Sequence, residues 1–354
     1  MTPESFKLLL RSGARRAAMR GVLSAIAATG AGRWFPAAAG RAIIFTLHHV
    51  RPDRGQVFDP NAHLSVTPDF LSEAIVAATE CGLHPVHLED LPGLLAQPAD
   101  ERRFVCFTLD DGYRDNAAFA APVFRRHGVP YTIFVTPGFV TRSRTMWWET
   151  AEALVRAVPQ LRFDFGRGEE ALGCTDVADK MAAFERLVAF VQAADEDMAV
   201  ARIDGAAAAQ AGIDAMAIVN DEIMTADELR VLSEGDPLVR LGAHTMTHPA
   251  LARVSEDRLR HELIHSAAQI AVYCDRVPLA LAYPYGSPAA VGEREQRVAA
   301  ELGFSVAVTT QPGVLTTDSL RRPTAWPRVS LNGHFQKARY VRALASGLPF
   351  RLRG

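Results

Sequence analysis

From residue 41 onward, short apolar runs alternate with helical patterns, and this alternation restricts the fold more than any other feature of the chain. The runs fall at 41–49, 83–88, 104–110, 131–136, 238–244, 279–283 and 304–309, and each has the length and branched or aromatic content of a strand. Helices between them carry explicit start signals. Thr67 is placed as an N-cap with Pro68 at the first helical position, and Thr225 with Glu228 reads as a capping box flanked by Met224 and Leu229 as a hydrophobic staple. About seven βα repeats predict a parallel sheet. In a chain of 354 residues, either one large domain or two smaller ones can be accommodated, and the repeat number suits an α/β barrel of the TIM-like kind better than an open sheet.

Three segments stand apart from this repeat. Residues 1–40 scatter Arg11, Arg15, Arg16, Arg20 and Arg33 among Ala, Leu and Gly, with Glu4 the one acid. This composition predicts a basic helical extension packed on the domain, with peripheral contact at a membrane surface or a cleaved signal as the alternatives. No run approaches the roughly 18 to 20 apolar residues of a spanning helix. Residues 146–234, between the fourth and fifth strands, predict a helical insertion, patterned most clearly at 176–194, that shapes a substrate site or a partner surface. Trp147 and Trp148 open it and suit either stacking on a sugar ring or, the commoner use, burial. The barrel is expected over 41–335 and a tail over 336–354. With 38 basic and 40 acidic residues the net charge is −2, which argues against a nucleic-acid partner. Cys81, Cys106, Cys174 and Cys274 form no Cys-x-x-Cys pair, and Cys106 lies inside an apolar run. Core thiols in a reducing compartment are expected, hence a cytoplasmic protein, with membrane association through the basic N-terminus as the alternative.

The strand at 104–110 stops at two adjacent carboxylates and a glycine, Asp110-Asp111-Gly112. At such a strand end both carboxylates can reach one pocket with different tasks, one binding a metal and one handling a proton, unless the three residues are simply a polar turn. The strand at 238–244 ends in His244-Thr245-Met246-Thr247-His248. Two histidines four apart on such a turn can converge on one ion at about 2.0–2.1 Å per nitrogen. Two imidazoles and one carboxylate would leave positions open to water, as in a catalytic zinc site. A second histidine pair, His261-Glu262-Leu263-Ile264-His265, fits the H-E-x-x-H pattern of zinc proteases. At 100° per residue, however, Leu259, Leu263, Ala267, Ile270 and Cys274 form one apolar stripe and His261 and His265 fall opposite it, facing solvent.

Taken together, Thr108-Leu109-Asp110-Asp111-Gly112 and His244-Thr245-x-x-His248 resemble the first two motifs of the polysaccharide deacetylases with a NodB-homology domain. Ala282-Tyr283-Pro284-Tyr285-Gly286 and Trp326-Pro327-Arg328-Val329 are similar to that family's third and fourth motifs, in the same order along the chain. The resemblance implies a distorted (β/α)7 barrel and a divalent metal, usually zinc, bound by Asp111, His244 and His248. It implies Asp110 as general base and the Tyr285 N–H as an oxyanion donor. Two departures bear on the site. Many members place before the Pro-Tyr an arginine that orients the catalytic aspartate, where this chain has Ala282; Arg328 is the alternative source of that guanidinium. The usual Leu-x-His near the C-terminus is replaced by Leu331-Asn332-Gly333-His334, while Leu47-His48-His49-Val50 resembles the Tyr-His-x-Val strand of a permuted subgroup.

These readings lead to a metal-dependent hydrolase that removes N-acetyl groups from an amino-sugar-containing oligo- or polysaccharide, with that N-acetylated glycan as its partner. The alternatives are an O-acetyl esterase or other amidohydrolase on the same barrel, or a catalytically silent carbohydrate-binding barrel. His48, where the strand at 41–49 emerges on the rim that carries Asp110 and His244, is the expected general acid. His49 should point to the other side of the strand, and His334, after an Asn-Gly turn, lies beyond the last barrel element.

Overall fold

The computed structural model describes residues 3–97 and 99–351. Met1 and Thr2 of the expected N-terminal extension, and residues 352–354 of the expected tail, lie outside the described residues. The chain divides into two compact units. The larger gathers Arg20–Pro52, Leu64–Thr141 and the chain from Ile223 onward, and the smaller holds Asp53–His63, Arg142–Glu222 and the residues before Arg20.

The larger unit is a curled parallel sheet wrapped by helices. Its strands are β1 (Ala42–Leu47), β2 (Leu83–Pro85), β3 (Arg103–Leu109), β4 (Tyr131–Val135), β5 (Val239–Ala243), β6 (Ala280–Ala282), β7 (Val306–Val308) and β8 (Val329–Ser330). The order across the sheet is β7-β6-β5-β4-β3-β1-β8, and β2 pairs with the start of β3. Every pair is parallel. The two ends of this order are joined through one stretch of chain, in which Trp326 pairs with Val308 and Val329 with Phe45. The result is a distorted seven-repeat barrel. All seven expected strands are present, with ends shifted by a few residues; β8 was not anticipated, because two residues give no readable periodicity.

Both faces of the sheet are covered, so the strands read as continuous apolar runs. Ile44, Phe104, Cys106, Phe134, Val306, Val308 and Trp326 fill the inside. The opposite face packs on helices, as where Phe107 meets Phe124 at 5.7 Å between ring centroids and Phe124 stacks on Tyr131 at 4.4 Å. Large side chains inside require small neighbours: a Cβ on Gly242 would lie 2.5 Å from the Phe134 ring. Each fully buried Phe, Leu or Ile contributes about 1.5–3 kcal/mol, so the interior is committed to this register.

Helix α1 (Pro3–Thr29) buries Leu23 and Ile26, and Arg20 donates to the His334 carbonyl at 3.0 Å and lies over the Phe335 ring. From Arg20 onward the expected extension therefore packs on the barrel unit. No helix among the described residues is long and apolar enough to cross a membrane. Helix α2 (Pro68–Glu80) starts as expected, with Thr67 Oγ1 accepting from Phe70 N, and α3 (Ala226–Gly235) has the Thr225–Glu228 capping box. In α4 (Glu256–Cys274), Leu259, Leu263 and Ile270 are buried while His261 and His265 are exposed. That arrangement leaves the H-E-x-x-H pair facing solvent. The expected tail contains α5 (Ala338–Ala345), which buries Tyr340, Val341, Ala343 and Ala345.

The smaller unit holds most of the stretch between β4 and β5. It has helices Trp147–Ala157, Val177–Ala193, Glu196–Ala211 and Ala215–Glu222, and also an antiparallel hairpin, Gln160–Asp164 with Glu169–Gly173. The hairpin corrects an all-helical reading of the insertion. Its first strand buries only Leu161 and Phe163 and its second is rich in acids, too weak a pattern to call from sequence. Trp147 and Trp148 are both buried and meet edge to face at 5.9 Å, the commoner of the two uses considered for them.

Candidate active site

Because the strands run parallel, their C-terminal ends collect at one rim, where sites on such barrels are built. Register fixes which residues emerge together. Asp110 N donates to Leu47 O at 3.0 Å, so β1 and β3 end side by side, and His244 N donates to Val135 O at 3.1 Å. His48, Asp110, Asp111 and His244 thus leave β1, β3 and β5 at one level of the rim.

Asp110 is almost fully buried and gripped at both oxygens by Arg328, Nη1 to Oδ1 at 2.6 Å and Nη2 to Oδ2 at 2.7 Å. This fork-to-fork pair is the strongest geometry a carboxylate and a guanidinium can adopt. Arg328 is itself fully buried and aimed by three further contacts: Nε donates to Thr309 O, Nη1 to Thr108 Oγ1, and the guanidinium lies over the Phe134 ring. Burial alone would raise the Asp110 carboxyl, but Arg328, and after it His244 and His48, outweigh burial and hold it below its ordinary value. Asp110 is therefore ionised at neutral pH. Ala282, buried in β6, has no side chain that reaches this carboxylate; Arg328 arrives from the opposite end of the sheet order instead.

Asp111 Oδ1 lies 3.5 Å from His244 Nε2 and 3.5 Å from His248 Nε2, and all three residues are buried. That oxygen has no hydrogen-bond partner, a costly state for a buried carboxylate. Donors about 2.0–2.1 Å from a tetrahedral ion lie roughly 3.4 Å apart. The spacing, the donor types and the orphaned oxygen all fit a divalent cation. His244 Nδ1 donates to Ala282 O at 2.7 Å, which leaves Nε2 as the lone-pair nitrogen facing Asp111. Burial would raise the Asp111 carboxyl, yet His244 and His248 hold it well below the carboxylate range. Burial pushes His248 down to about 3, despite Asp111, so His248 is neutral and able to ligate. In His244 burial is overcome by Asp111 and Asp110, which raise it; a proton there would compete with a cation.

Backbone strain concentrates here. Six non-glycine residues have positive φ among the described ones, and Asp111 (75°), Thr245 (61°), His248 (60°) and Tyr285 (60°) are four of them. Each such position costs of order 1–3 kcal/mol and persists only where its surroundings over-determine it. The turn from His244 to His248 is tied throughout: Thr136 Oγ1 donates to His244 O, Gly138 N to Met246 O, and His248 N to Thr245 Oγ1. Tyr285 packs its ring edge-on to His248 at 5.0 Å. Beside it Gly286 (φ 59°) is obligatory, because a Cβ would sit 2.5 Å from Thr310 N.

His48 Nε2 lies 3.9 Å from Asp110 Oδ2, and the ring keeps about a fifth of its surface exposed. Burial lowers its pKa although Asp110 and Asp111 raise it. The His48 carbonyl accepts from Asn116 Nδ2 at 2.7 Å, and Asp115 accepts from Val50 N and Asn116 Nδ2. His49 points away, fully buried, with Nδ1 2.6 Å from Asp115 Oδ2 and its ring on Tyr113 at 3.6 Å. His334 sits in the short turn Gly333–Phe335, where its carbonyl meets Arg20. Sequence reasoning missed the supporting pair Asp115-Asn116, whose signal was two polar residues three and four positions after Gly112, and missed the part of Thr108 and Thr309 in aiming Arg328.

Residues 208–307 match the family model described as polysaccharide deacetylase. That stretch includes His244, His248 and Tyr285; Asp110, Asp111, His48 and Arg328 lie outside it and join it through the geometry above. No curated protein matches the chain by sequence. Among solved structures, the fold is similar to that of the deacetylase PplD of Streptococcus pyogenes in complex with acetate, at 15% identity and TM-score 0.52 over 83% of this chain and 92% of that one. It is similar also to IcaB from Ammonifex degensii, at 14% identity and TM-score 0.51 over 86% of this chain and 97% of that one. BC0361, a polysaccharide deacetylase from Bacillus cereus, gives 13% identity and TM-score 0.52 over 86% of this chain and 68% of that one.

Proposed function

We infer that this chain, whose residues 208–307 match the polysaccharide deacetylase family model, is a metal-dependent hydrolase that removes N-acetyl groups from an amino-sugar-containing oligo- or polysaccharide. The observation that carries the reading is the pairing of two adjacent aspartates with separate surroundings, Asp111 facing two imidazole nitrogens at 3.5 Å and Asp110 locked to Arg328. Asp111, His244 and His248 would hold the ion, zinc being the usual occupant of such a donor set. A divalent ion bound there supplies Lewis acidity, lowering the pKa of water to about 7 and polarising an acyl oxygen.

The remaining steps belong to the chain's own groups. Asp110, kept ionised by Arg328, takes a proton from the attacking water. The Tyr285 N–H donates to the oxyanion that develops on the acyl group, the kind of fixed donor that acts without reorganisation. His48, across from Asp110, protonates the departing amine. Burial makes it a stronger acid than a free imidazolium, and Asn116 and Asp115 fix the backbone that carries it.

Two predictions arise from these roles. Asp110→Asn should keep bound metal while kcat falls by about 10² to 10⁴, because a carboxamide cannot accept the water's proton. Loss of metal in that variant, measured by elemental analysis, would make Asp110 a ligand instead. His48→Ala should lower kcat on an amide substrate by about 10² to 10⁴ with metal content unchanged, and by less on an aryl ester, whose leaving group needs no proton. An undiminished amide rate, or the same amide-selective defect in His334→Ala, would move the role elsewhere. The substrate class is tested by acetate release from chitooligosaccharides, peptidoglycan fragments and acetylated xylan; preference for the xylan would favour O-deacetylation over N-deacetylation.

A further inference from the structure

The glutamate of the solvent-facing H-E-x-x-H pattern has a use unrelated to the histidines around it. Glu262 is fully buried on the barrel side of α4, and both its oxygens are spent on one residue of the His244–His248 turn. Thr247 N donates to Oε2 at 2.7 Å and the Thr247 hydroxyl to Oε1 at 2.6 Å. Arg258, one helical turn earlier, donates from Nε to Oε1 at 2.7 Å and from Nη2 to Thr247 Oγ1 at 3.0 Å. The carboxylate, the guanidinium and the threonine form a closed ring of charge-assisted hydrogen bonds. Thr247 immediately precedes His248, whose φ of 60° costs free energy and needs an external hold.

We propose that Glu262, together with Arg258, is a positioning residue for the cation site: it clamps Thr247 and so keeps His248 Nε2 turned toward Asp111. This rests on the reading of Asp111, His244 and His248 as metal ligands. The clamp explains why a carboxylate is tolerated at a fully buried position of this helix. It also makes the helix, and not only the loop, responsible for the geometry of the site. Groups that orient ligands in this way typically change metal affinity by 10- to 100-fold when removed.

The test is zinc affinity of the chelator-stripped full chain, measured by competition with a chromophoric chelator, alongside the visible absorption of the cobalt(II)-loaded protein. Glu262→Gln, which leaves one of the two Thr247 donors without an acceptor, should weaken zinc binding about 10- to 100-fold and change the cobalt spectrum. Thr247→Val should weaken binding by a smaller factor, and Thr247→Ser, which keeps the hydroxyl, should restore it. A tie that matters only for folding would lower the melting temperature of the stripped protein and leave affinity and spectrum unmoved; that result in folded Glu262→Gln overturns the proposal. If Glu262→Gln does not fold, equal zinc affinity in Thr247→Val and Thr247→Ser overturns it. Failure of the wild-type chain to bind zinc or cobalt would instead overturn the metal reading itself.

Discussion

Asp111→Ala, His244→Ala and His248→Ala are each expected to abolish metal uptake and hydrolysis together, the largest effect of any single change in this chain. With one of the three proposed protein ligands gone, such a site would retain too few donors to hold an ion. Affinity and chemistry therefore disappear in one step. Thermal stability provides an independent readout. Anything that binds only the folded chain stabilises it by RT ln(1 + [L]/Kd), about 4 kcal/mol at a thousandfold excess over Kd. Zinc should raise the melting temperature of the wild-type protein and leave these variants nearly unmoved. The buried Asp111 Oδ1, which has no hydrogen-bond partner, sharpens the expectation, since in the stripped wild-type chain that oxygen lacks the contact a cation would supply. Full metal occupancy in all three variants would rule out this site as the metal centre.

The second large effect is expected at Arg328. Arg328→Met keeps most of the stem that packs over Phe134 but withdraws the charge facing Asp110. Removing one partner of a buried ion pair costs roughly 3–5 kcal/mol, because the other charge stays buried without compensation. Burial, no longer opposed by the guanidinium, then favours the neutral carboxylic acid at Asp110, which cannot take a proton from water. Turnover should fall toward the level of Asp110→Asn while metal is retained. Replacing both members, as in Asp110→Leu with Arg328→Met, should recover much of the stability lost in Arg328→Met, since a buried pair exchanged for apolar groups is often close to neutral. Denaturant unfolding of the two single variants and the double variant measures the coupling. Additive losses in stability would mean that the two side chains do not act as a unit.

The barrel was legible because its strands are covered on both faces, which forces continuous apolar runs separated by capped helices such as the one begun by Thr67 and Pro68. The metal-ligand candidates were legible for a related reason: Asp111, His244 and His248 are polar residues placed at the ends of such runs. Arg328 could be named only as an alternative to Ala282. Nothing local tells that a strand of two residues, Val329–Ser330, pairs with β1 and carries the preceding arginine to Asp110. The same holds for the left-handed backbone at Asp111, Thr245, His248 and Tyr285, because only glycine announces positive φ in a sequence. Glu262 was hidden by the helical period itself. Three residues after Leu259 and one before Leu263, it flanks the apolar stripe, where a charge reads as solvated until its partner on another element is known.

The most direct measurement is acetate released by the purified chain from an N-acetylated chitooligosaccharide, before chelation, after chelation and after zinc is added back. Release that stops on chelation, returns with zinc in the wild-type chain and fails to return in Asp111→Ala is the predicted result. Release that persists unchanged in the stripped protein, or zinc-restored cleavage of acetyl esters with no acetate from any N-acetylated glycan, would contradict it.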